Sequence, residues 1–365
     1  MKRKFRAMRS GRLFGVLLSA VAVLACGLPT LTGPATTGGA PEPSPAMSAT
    51  SILSSSAMST AVSPIPTDIG PTRTASVSSV QPRYRFTRNS DPDRTVVTDE
   101  AGRWLATFTD HAYTVTLTGP QRTFSDPNAR QPVVTEVWVR VLPTPFSGTV
   151  NQDWLAKALR DTSPDVFAVA MQYVHGAPPV TNSQGLQIAG SARYGPVAAD
   201  DTREEGGDFN DYLGIPWQFG TQERQPKSDF FRSLDCSGFM RMVWGYRAGL
   251  PLTYAPNQGQ AIPRHSWEIL SSAPGVIIIP DTERQVTDFS HLAPGDLVFF
   301  HAKTEDHNPQ IDHVGMYLGK DAAGHYRFIS SRQTVDGPTL GDVAGSSLLD
   351  GTGLYAKSFR AARRL

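Results

Sequence analysis

Hydrophobic and polar positions in this chain follow two different periods. Between residues 83 and 148, stretches rich in valine, threonine and aromatic residues are separated by glycine, proline, aspartate and asparagine. Residues 137–141 place a valine at every second position, which is the period of a strand. The pattern predicts four strands, at residues 95–98, 104–109, 113–118 and 133–142.

Two short helices are predicted to follow, at about residues 152–160 and 163–173. Ser163 is predicted to be the N-cap of the second helix, and Pro164 suits its first helical position. We therefore expect residues 83–175 to form a small β-rich accessory module that ends in two helices. No catalytic combination of residues is evident within this module.

The C-terminal half has a different pattern. After Leu234, hydrophobic residues at 239, 240, 243 and 244 form a single stripe on a helix. Strands are predicted around residues 297–300, 314–318 and 326–330, and a turn at residues 294–296 precedes the first of them. One helix followed by several strands predicts an α+β domain with an antiparallel sheet, over residues 190–365.

The N-terminus has the features of an export signal. Six basic residues lie between positions 2 and 12, and residues 13–25 are an apolar run too short to span a bilayer. Residues 23–27 are similar to a bacterial lipobox, which would make Cys26 a lipidation site and attach the protein to a membrane. The alternative is an ordinary signal peptide that happens to contain a cysteine. Residues 1–26 are thus predicted to be a signal peptide and the protein to be extracytoplasmic, either lipid-anchored in the cell envelope or secreted.

Composition adds two expectations. Residues 27–82 are mostly Ser, Thr, Pro, Ala and Gly and lack aromatic residues, so they are predicted to be a disordered linker. Removing the six basic residues of the leader from the 34 in the chain leaves 28, against 33 acidic residues. This mildly acidic balance argues against a nucleic-acid partner.

Cys236 is the strongest candidate for chemistry. It is one of two cysteines, and the other lies in the leader, so an internal disulfide is not expected. A cysteine at a helix start can have a low pKa, and His313 on a distant strand can serve as its base. Gly238 would leave room for a substrate backbone. A small buried hydrophobic role for Cys236 is the alternative, which its polar neighbours disfavour.

Residues 208–365 resemble the NlpC family of bacterial cell-wall cysteine peptidases. The resemblance rests on three motifs in order: residues 235–239 (Asp-Cys-Ser-Gly-Phe), 294–300 (Pro-Gly-Asp-Leu-Val-Phe-Phe) and 313–319 (His-Val-Gly-Met-Tyr-Leu-Gly). It implies a papain-like fold, hydrolysis of amide bonds in peptidoglycan stem peptides, and no cofactor. By this resemblance Cys236 is the nucleophile and His313 the base. The histidines near residues 301–311 match no metal motif, so no metal site is expected.

The chain departs from the family pattern at two positions. Ser330 occupies the slot of a third polar residue, commonly histidine, that orients the base; Ser331 or Arg332 could define this geometry instead. Arg332 is also a candidate for binding a substrate carboxylate, against a solvated loop arginine as the alternative. Trp217 replaces a tyrosine that, in some members, helps to hold a substrate amine.

Two residues beside the nucleophile complete the predicted site. Asp235 and Ser237 are expected to bind substrate, and N-capping of the helix is the alternative role for Asp235. The sequence thus predicts an exported cysteine endopeptidase. The alternatives are an amidase or acyl transferase on the same fold, and a catalytically decayed wall-binding lipoprotein. The accessory module would either bind the wall or pack on the catalytic domain.

Overall fold

A five-stranded antiparallel sheet forms the first part of the structure, a computed structural model that describes residues 83–256, 259–303 and 310–365. The predicted signal peptide, the predicted linker and Cys26 lie outside these residues. The strands are β1 Arg85–Asn89, β2 Arg94–Thr98, β3 Trp104–Thr109, β4 Thr114–Phe124 and β5 Val133–Val141, paired in chain order. Within the described residues, no helix is long and apolar enough to cross a membrane.

The predicted strands of this sheet are present, with two differences. β1 was not predicted, because every residue of this edge strand is exposed and it has no hydrophobic alternation. β4 extends past Thr118 to Phe124, through an irregularity in its pairing with β5. The buried face of the sheet includes Val97, Phe108 and Val115.

Two short helices follow the sheet, α1 Gln152–Ala158 and α2 Val166–Met171. The prediction that Ser163 caps the second helix is wrong. Its N-cap is Asp165, whose carboxylate accepts a hydrogen bond of 3.0 Å from the Ala168 N–H. The same carboxylate pairs with Arg122 of β4 at 2.5 Å, so the cap also attaches α2 to the sheet.

The remaining elements surround a second antiparallel sheet. In chain order they are β6 Val180–Thr181, β7 Gln187–Ala189, α3 Phe209–Leu213, β8 Trp217–Phe219, β9 Gln222–Arg224, α4 Cys236–Met240, α5 Ser266–Ser272, β10 Val276–Ile279, β11 Leu297–Phe300, β12 His313–Lys320, β13 Tyr326–Arg332, β14 Gly337–Thr339, α6 Leu354–Ser358 and β15 Phe359–Arg364. α4 continues directly into a π-helical segment, Arg241–Arg247. The expected α+β class, with antiparallel sheets, is confirmed.

The second sheet has the strand order β10-β15-β11-β12-β13-β14. α4 packs on β12 and β13, and its Phe239 and Met240 share a core with Val314 and Ile329. The opposite face of the sheet buries a second cluster that includes Phe300 and Phe328. The sheet thus presents the start of β12 to the start of α4.

The first sheet is built into the same core. Phe124, Val133 and Val139 belong to the hydrophobic cluster that also contains Leu297 and Met316 of the second sheet. The described residues accordingly form one compact unit. Of the two roles considered for the accessory module, packing on the rest of the protein is the one for which the contacts are seen.

Candidate active site

The first turn of α4 carries the candidate nucleophile. Asp235 is its N-cap, with an extended backbone and a carboxylate that accepts a 2.7 Å hydrogen bond from the Gly238 N–H. The Phe239 N–H bonds to the Asp235 carbonyl oxygen at 2.9 Å. Among the described residues, the N–H groups of Cys236 and Ser237 have no such partner, as is usual for the first N–H groups of a helix.

Gly238 has a structural role that differs from the predicted one. A Cβ at this position would lie 2.1 Å from the carbonyl oxygen of Gly207 and 3.0 Å from the Cα of Asp208. The space next to Gly238 is therefore filled by the protein's own backbone, and the prediction that it admits a substrate backbone is wrong. The glycine allows the 207–208 segment to pack against the start of α4.

A buried ionic network supports this helix start. Arg264 lies 2.5 Å from the Asp235 carboxylate and 3.8 Å from that of Asp208, which also pairs with Arg241 at 2.9 Å. Burial alone would raise the pKa of Asp208, but the charges of Arg241 and Arg264 outweigh it and lower the pKa. All four side chains are buried, and the acidic and basic groups alternate along the network, which fixes their positions.

Asp235 and Ser237 both face this network. The Ser237 hydroxyl donates to Asp235 at 3.1 Å and accepts from Arg264 at 2.6 Å. Asp235 also accepts a hydrogen bond from the Gly206 N–H. Because these groups are satisfied internally, the geometry of the two residues is that of the N-cap alternative, and substrate binding by them stays a prediction.

The Cys236 thiol is almost fully buried, with 1% of the residue exposed. Its Sγ lies 4.0 Å from the carbonyl oxygen of Asp312, and the Val314 N–H also hydrogen-bonds to it. Burial, together with the carboxylates of Asp235 and Glu205, raises the thiol pKa well above its usual value. A raised pKa keeps the Cys236 thiol neutral at physiological pH in the resting protein.

His313 is the first residue of β12, between the two backbone groups that touch the thiol. Its ring packs 5.3 Å from the Tyr355 ring and 5.8 Å from the Phe300 ring, measured between centroids. The Nε2 atom is buried without a hydrogen-bond partner. Burial and the positive charge of Arg332 lower the pKa of His313 to about 3, so the imidazole is neutral.

The described residues include no hydrogen bond between the His313 ring and the Cys236 sulfur. The structure thus brings the Cys236 thiol and the backbone of residue 313 together, while the ring lies against an aromatic wall. Catalytic hydrogen bonds are often absent from unliganded proteins and form only when substrate binds.

Ser330 lies on β13, beside the strand of His313. It is fully buried, and its hydroxyl has no hydrogen-bond partner. Gly315 of β12 permits this proximity, because a Cβ there would lie 2.7 Å from the Ile329 carbonyl oxygen and 3.1 Å from the Ser330 Cβ. Residues 313 and 315 face the same side of a strand, so Ser330 is a diagonal neighbour of His313.

The two alternatives to Ser330 are engaged elsewhere. The Ser331 hydroxyl donates to the Leu234 carbonyl oxygen at 2.5 Å. Arg332 is 1% exposed, donates to the carbonyls of Gly341 and Gly345, and has its guanidinium 4.8 Å from the centre of the Tyr355 ring. Arg332 is therefore buried. A solvated loop arginine would be exposed, and an arginine that binds a substrate carboxylate would be open to the substrate.

Trp217 packs in an aromatic cluster, 5.0 Å from the Phe209 ring and 5.8 Å from the Tyr246 ring. A different aromatic residue, the buried Tyr194, interacts electrostatically with Cys236. Burial raises the pKa of the Tyr194 phenol, and its electrostatic interactions with Cys236 and Asp235 raise it further. Tyr194 was not predicted, because it belongs to an irregular segment with no motif around it.

A second unpredicted pair lies near the thiol. The Lys303 ammonium is 3.0 Å from the Glu205 carboxylate, and both side chains are about half exposed. Glu205 raises the pKa of the thiol, and the charge of Lys303 contributes to the low pKa of His313. Isolated charged residues in loops give no sequence signal for such a contact.

In the described residues, no group of three or more His, Cys, Asp and Glu side chains could hold a metal ion.

Comparison with known proteins confirms the resemblance drawn from the motifs. Residues 214–339 match the model of the NlpC/P60 family, and this segment contains Cys236, His313 and Ser330. The family consists in general of extracytoplasmic cell-wall peptidases and amidases with a papain-like fold, which act on peptidoglycan peptides. No curated protein matched the chain, and no solved structure matched it.

Proposed function

We propose that this protein is an exported cysteine endopeptidase that hydrolyses amide bonds in peptidoglycan stem peptides. The observation that carries the proposal is the position of Cys236, at the first turn of α4 with its sulfur against the backbone on both sides of His313. Its location within the segment that matches the NlpC/P60 family supports the same conclusion.

The proposed reaction begins with proton transfer from the Cys236 thiol to the neutral His313 imidazole. The thiolate attacks the carbonyl carbon, and the Cys236 and Ser237 N–H groups stabilise the resulting oxyanion. The imidazolium then protonates the leaving amine, and the C–N bond breaks to leave a thioester. Water, deprotonated by His313, attacks the thioester carbon and releases the acid and the thiol.

In the resting site the Cys236 thiol and the His313 imidazole make no hydrogen bond to each other. Substrate binding must therefore bring the two groups together. Burial disfavours the charged forms of both groups, so proton transfer from Cys236 to His313 requires their pKa values to move toward each other when substrate binds. Closing of the ring toward the sulfur would also move His313 out of its aromatic wall. Substrate binding supplies the free energy for this change in the proposed cycle.

Ser330 is the proposed orienting group for His313. Both the Ser330 hydroxyl and the His313 Nε2 are buried and lack hydrogen-bond partners. Their strands are neighbours, and Gly315, two residues after His313, leaves room for Ser330. A buried polar atom without a partner is costly, so a bond between these two, direct or through a water molecule, would be favourable. Replacement of Ser330 by alanine should lower kcat, by about tenfold or less because a hydroxyl is uncharged.

Tyr194 is proposed to form part of the substrate-binding surface. Its phenol interacts electrostatically with Cys236, and Trp217, which packs against Phe209, provides no hydroxyl. Tyr194→Phe should therefore raise KM or lower kcat while leaving the melting temperature nearly unchanged. Equal kinetic constants for the variant and the wild type would exclude this role.

The decisive experiment is digestion of purified peptidoglycan by the protein from residue 83 onward, with products identified by mass spectrometry. We expect new amine and carboxylate ends in stem peptides, and none with Cys236→Ala or Cys236→Ser. Loss of an intact stem peptide from the glycan would identify an amidase, and acyl transfer to an added amine would identify a transferase. A folded protein that binds the wall without cysteine-dependent products would identify a binding protein.

The decayed binding protein is the second candidate because one observation favours it. The buried thiol has a raised pKa and no hydrogen bond to the imidazole, which is also what a site without catalytic use would show.

Export and lipidation at Cys26 are proposed from the N-terminal sequence alone. Mass spectrometry of the protein purified from bacterial membranes would test them, since lipidation adds acyl chains to Cys26 after cleavage.

A further inference from the structure

A cavity of about 420 Å³ lies beside the network that holds the start of α4. Its lining includes Arg224, Lys227, Tyr254, Arg264, Asp208 and Asp211. Its volume is in the range of sites for small ligands or short peptide segments. The cavity shares Asp208 and Arg264 with that network, and none of the residues predicted to bind substrate lines it.

Of the arginine and lysine side chains that line the cavity, all but one form an ion pair with a carboxylate. Arg264 pairs with Asp235 at 2.5 Å, and Lys227 lies 3.5 Å from Asp211. Within the described residues, the Arg224 guanidinium makes no hydrogen bond or ion pair, and its Nε is buried without a partner. Because Arg224 lines the cavity and has no ion-pair partner in that part of the chain, an anion in the cavity would compensate its charge.

Arg224 is held in place by an aromatic ring. Its guanidinium carbon lies 3.2 Å from the centre of the Tyr254 ring. Stacking on one face leaves the N–H groups at the edge of the guanidinium plane available for hydrogen bonds. An arginine fixed in this way is prepared for a planar anion that accepts two parallel hydrogen bonds, and carboxylate is such an anion.

The carboxylates of the cavity restrict the charge of the ligand. Asp208 and Asp211 are neutralised by their basic partners, but Glu223 also lines the cavity and has no basic partner in the described residues. A doubly charged phosphate would be repelled by Glu223 with only Arg224 to compensate. A carboxylate carries a single negative charge, so it is repelled less by Glu223 than a phosphate while it keeps the full contact with Arg224.

We propose that this cavity is a substrate subsite that binds a carboxylate of the stem peptide, with the Arg224 guanidinium as its anion-binding group. The proposal rests on the proposed peptidase function. Gly206 and Arg264 line the cavity and also bond to Asp235, the residue before the nucleophile. A peptide with its scissile bond at Cys236 would thus place a neighbouring residue at the cavity. Arg224 is then a specificity-determining residue.

The test uses one stem-type tetrapeptide, in which the γ-linked D-glutamate has a free α-carboxylate and the C-terminus is free. Two analogues each replace one of these carboxylates by a carboxamide. Binding to the Cys236→Ala protein is measured by calorimetry, and kcat/KM is measured for the active protein. We expect one of the two analogues to bind at least about tenfold more weakly, because a charge-assisted bidentate contact is lost.

Arg224→Gln should abolish this preference, and the amide analogue should bind and react equally well with the variant and the wild type. Arg224→Lys should keep part of the preference, because a point charge replaces the planar fork. Lys320→Gln is the matched control, since it removes a cation that stacks on a tyrosine outside the cavity. Equal binding of all three peptides, or an undiminished preference in Arg224→Gln, would overturn the proposal.

The two proposals fail separately in this design. Carboxylate-dependent binding without cleavage by the wild type would count against the peptidase and support the cavity assignment. Cleavage of all three peptides at equal kcat/KM would support the peptidase and refute the role of Arg224.

Discussion

At the residue scale, the environment of Cys236 determines how its reactivity depends on pH. Burial and two carboxylates raise the thiol pKa, and the pKa of His313, about 3, is too low for an imidazolium to exist near neutrality. The resting protein therefore contains no thiolate–imidazolium pair. Its thiolate appears only as the pH rises above the range of an ordinary thiol.

We predict that alkylation of Cys236 by iodoacetamide accelerates continuously from pH 6 to pH 10. Glu205→Gln removes one of the carboxylates that raise the thiol pKa and releases Lys303 from its ion pair. The variant should react about two- to fivefold faster at pH 8, a modest factor because Glu205 is half exposed. Rates are measured in a Cys26→Ser background that leaves a single thiol.

Glu204→Gln is the control for this experiment, because it changes the adjacent exposed carboxylate without a described contact to the thiol. It should react like the wild type. A rapid rate that is constant from pH 5 upward would show that a thiolate–imidazolium pair forms in the resting protein, which is incompatible with a neutral Cys236 and a neutral His313.

The same residues show what sequence can and cannot predict at this scale. Cys236 and His313 were identifiable because each lies in a local motif with a recognisable spacing. Tyr194, Glu205 and Lys303 reach the thiol from irregular segments, where neither periodicity nor a motif indicates the position of a side chain. Arg332 looked like a surface residue, and only the folded loop at 341–345 reveals its buried bonds.

At the scale of elements, the start of α4 depends on a buried cation from another part of the chain. Arg264 is the partner of Asp235 and lies near Asp208, and its removal would leave two buried carboxylates undercompensated. We predict that Arg264→Met lowers the free energy of unfolding by about 3 kcal/mol or more, as is found when one partner of a buried pair is removed. Chemical denaturation followed by tryptophan fluorescence measures this.

Arg160→Met provides the comparison, because Arg160 is exposed and has no described ion pair. Its free energy of unfolding should stay within about 0.5 kcal/mol of the wild type. Equal stability of the Arg264 and Arg160 variants would mean that the network contributes nothing to the helix start.

Elements with strong periodicity were predictable, and those without it were not. The strand at 297–300 and the helix after Cys236 follow from hydrophobic patterns that the fold retains. β1 was missed because an exposed edge strand needs no hydrophobic side chain, only a partner for its backbone. The cap of α2 was misplaced because the carboxylate of Asp165, bound to Arg122, competes successfully with Ser163.

At the scale of the whole molecule, the two sheets are connected by buried polar contacts as well as by the shared core. The Asp126 carboxylate accepts hydrogen bonds from the Thr339 hydroxyl at 2.7 Å and the Leu340 N–H at 2.8 Å. Arg364 of β15 bonds to Asp296 and to the Thr109 hydroxyl of the first sheet. The bonds from Asp126 to Thr339 and from Arg364 to Thr109 each join residues more than 200 positions apart in sequence.

We predict that residues 83–365 unfold in one cooperative transition, with equal calorimetric and van't Hoff enthalpies. Phe124 belongs to the first sheet but packs 5.9 Å from the Phe167 ring within the shared core, whereas Phe86 of the same sheet is exposed. Phe124→Ala should shift the whole transition, by about 3 kcal/mol or more, because a large side chain is lost from a packed core.

Phe86→Ala should leave the transition nearly unchanged. If the first sheet were an independent domain, Phe124→Ala would shift only part of the heat absorption and a second transition would keep its original midpoint. A single shifted transition means instead that the candidate active site is stable only with the first sheet attached. In that case, a fragment that begins after α2 would lose Phe124, Val133 and Val139 from its core, and its failure to digest peptidoglycan would report misfolding rather than the absence of activity.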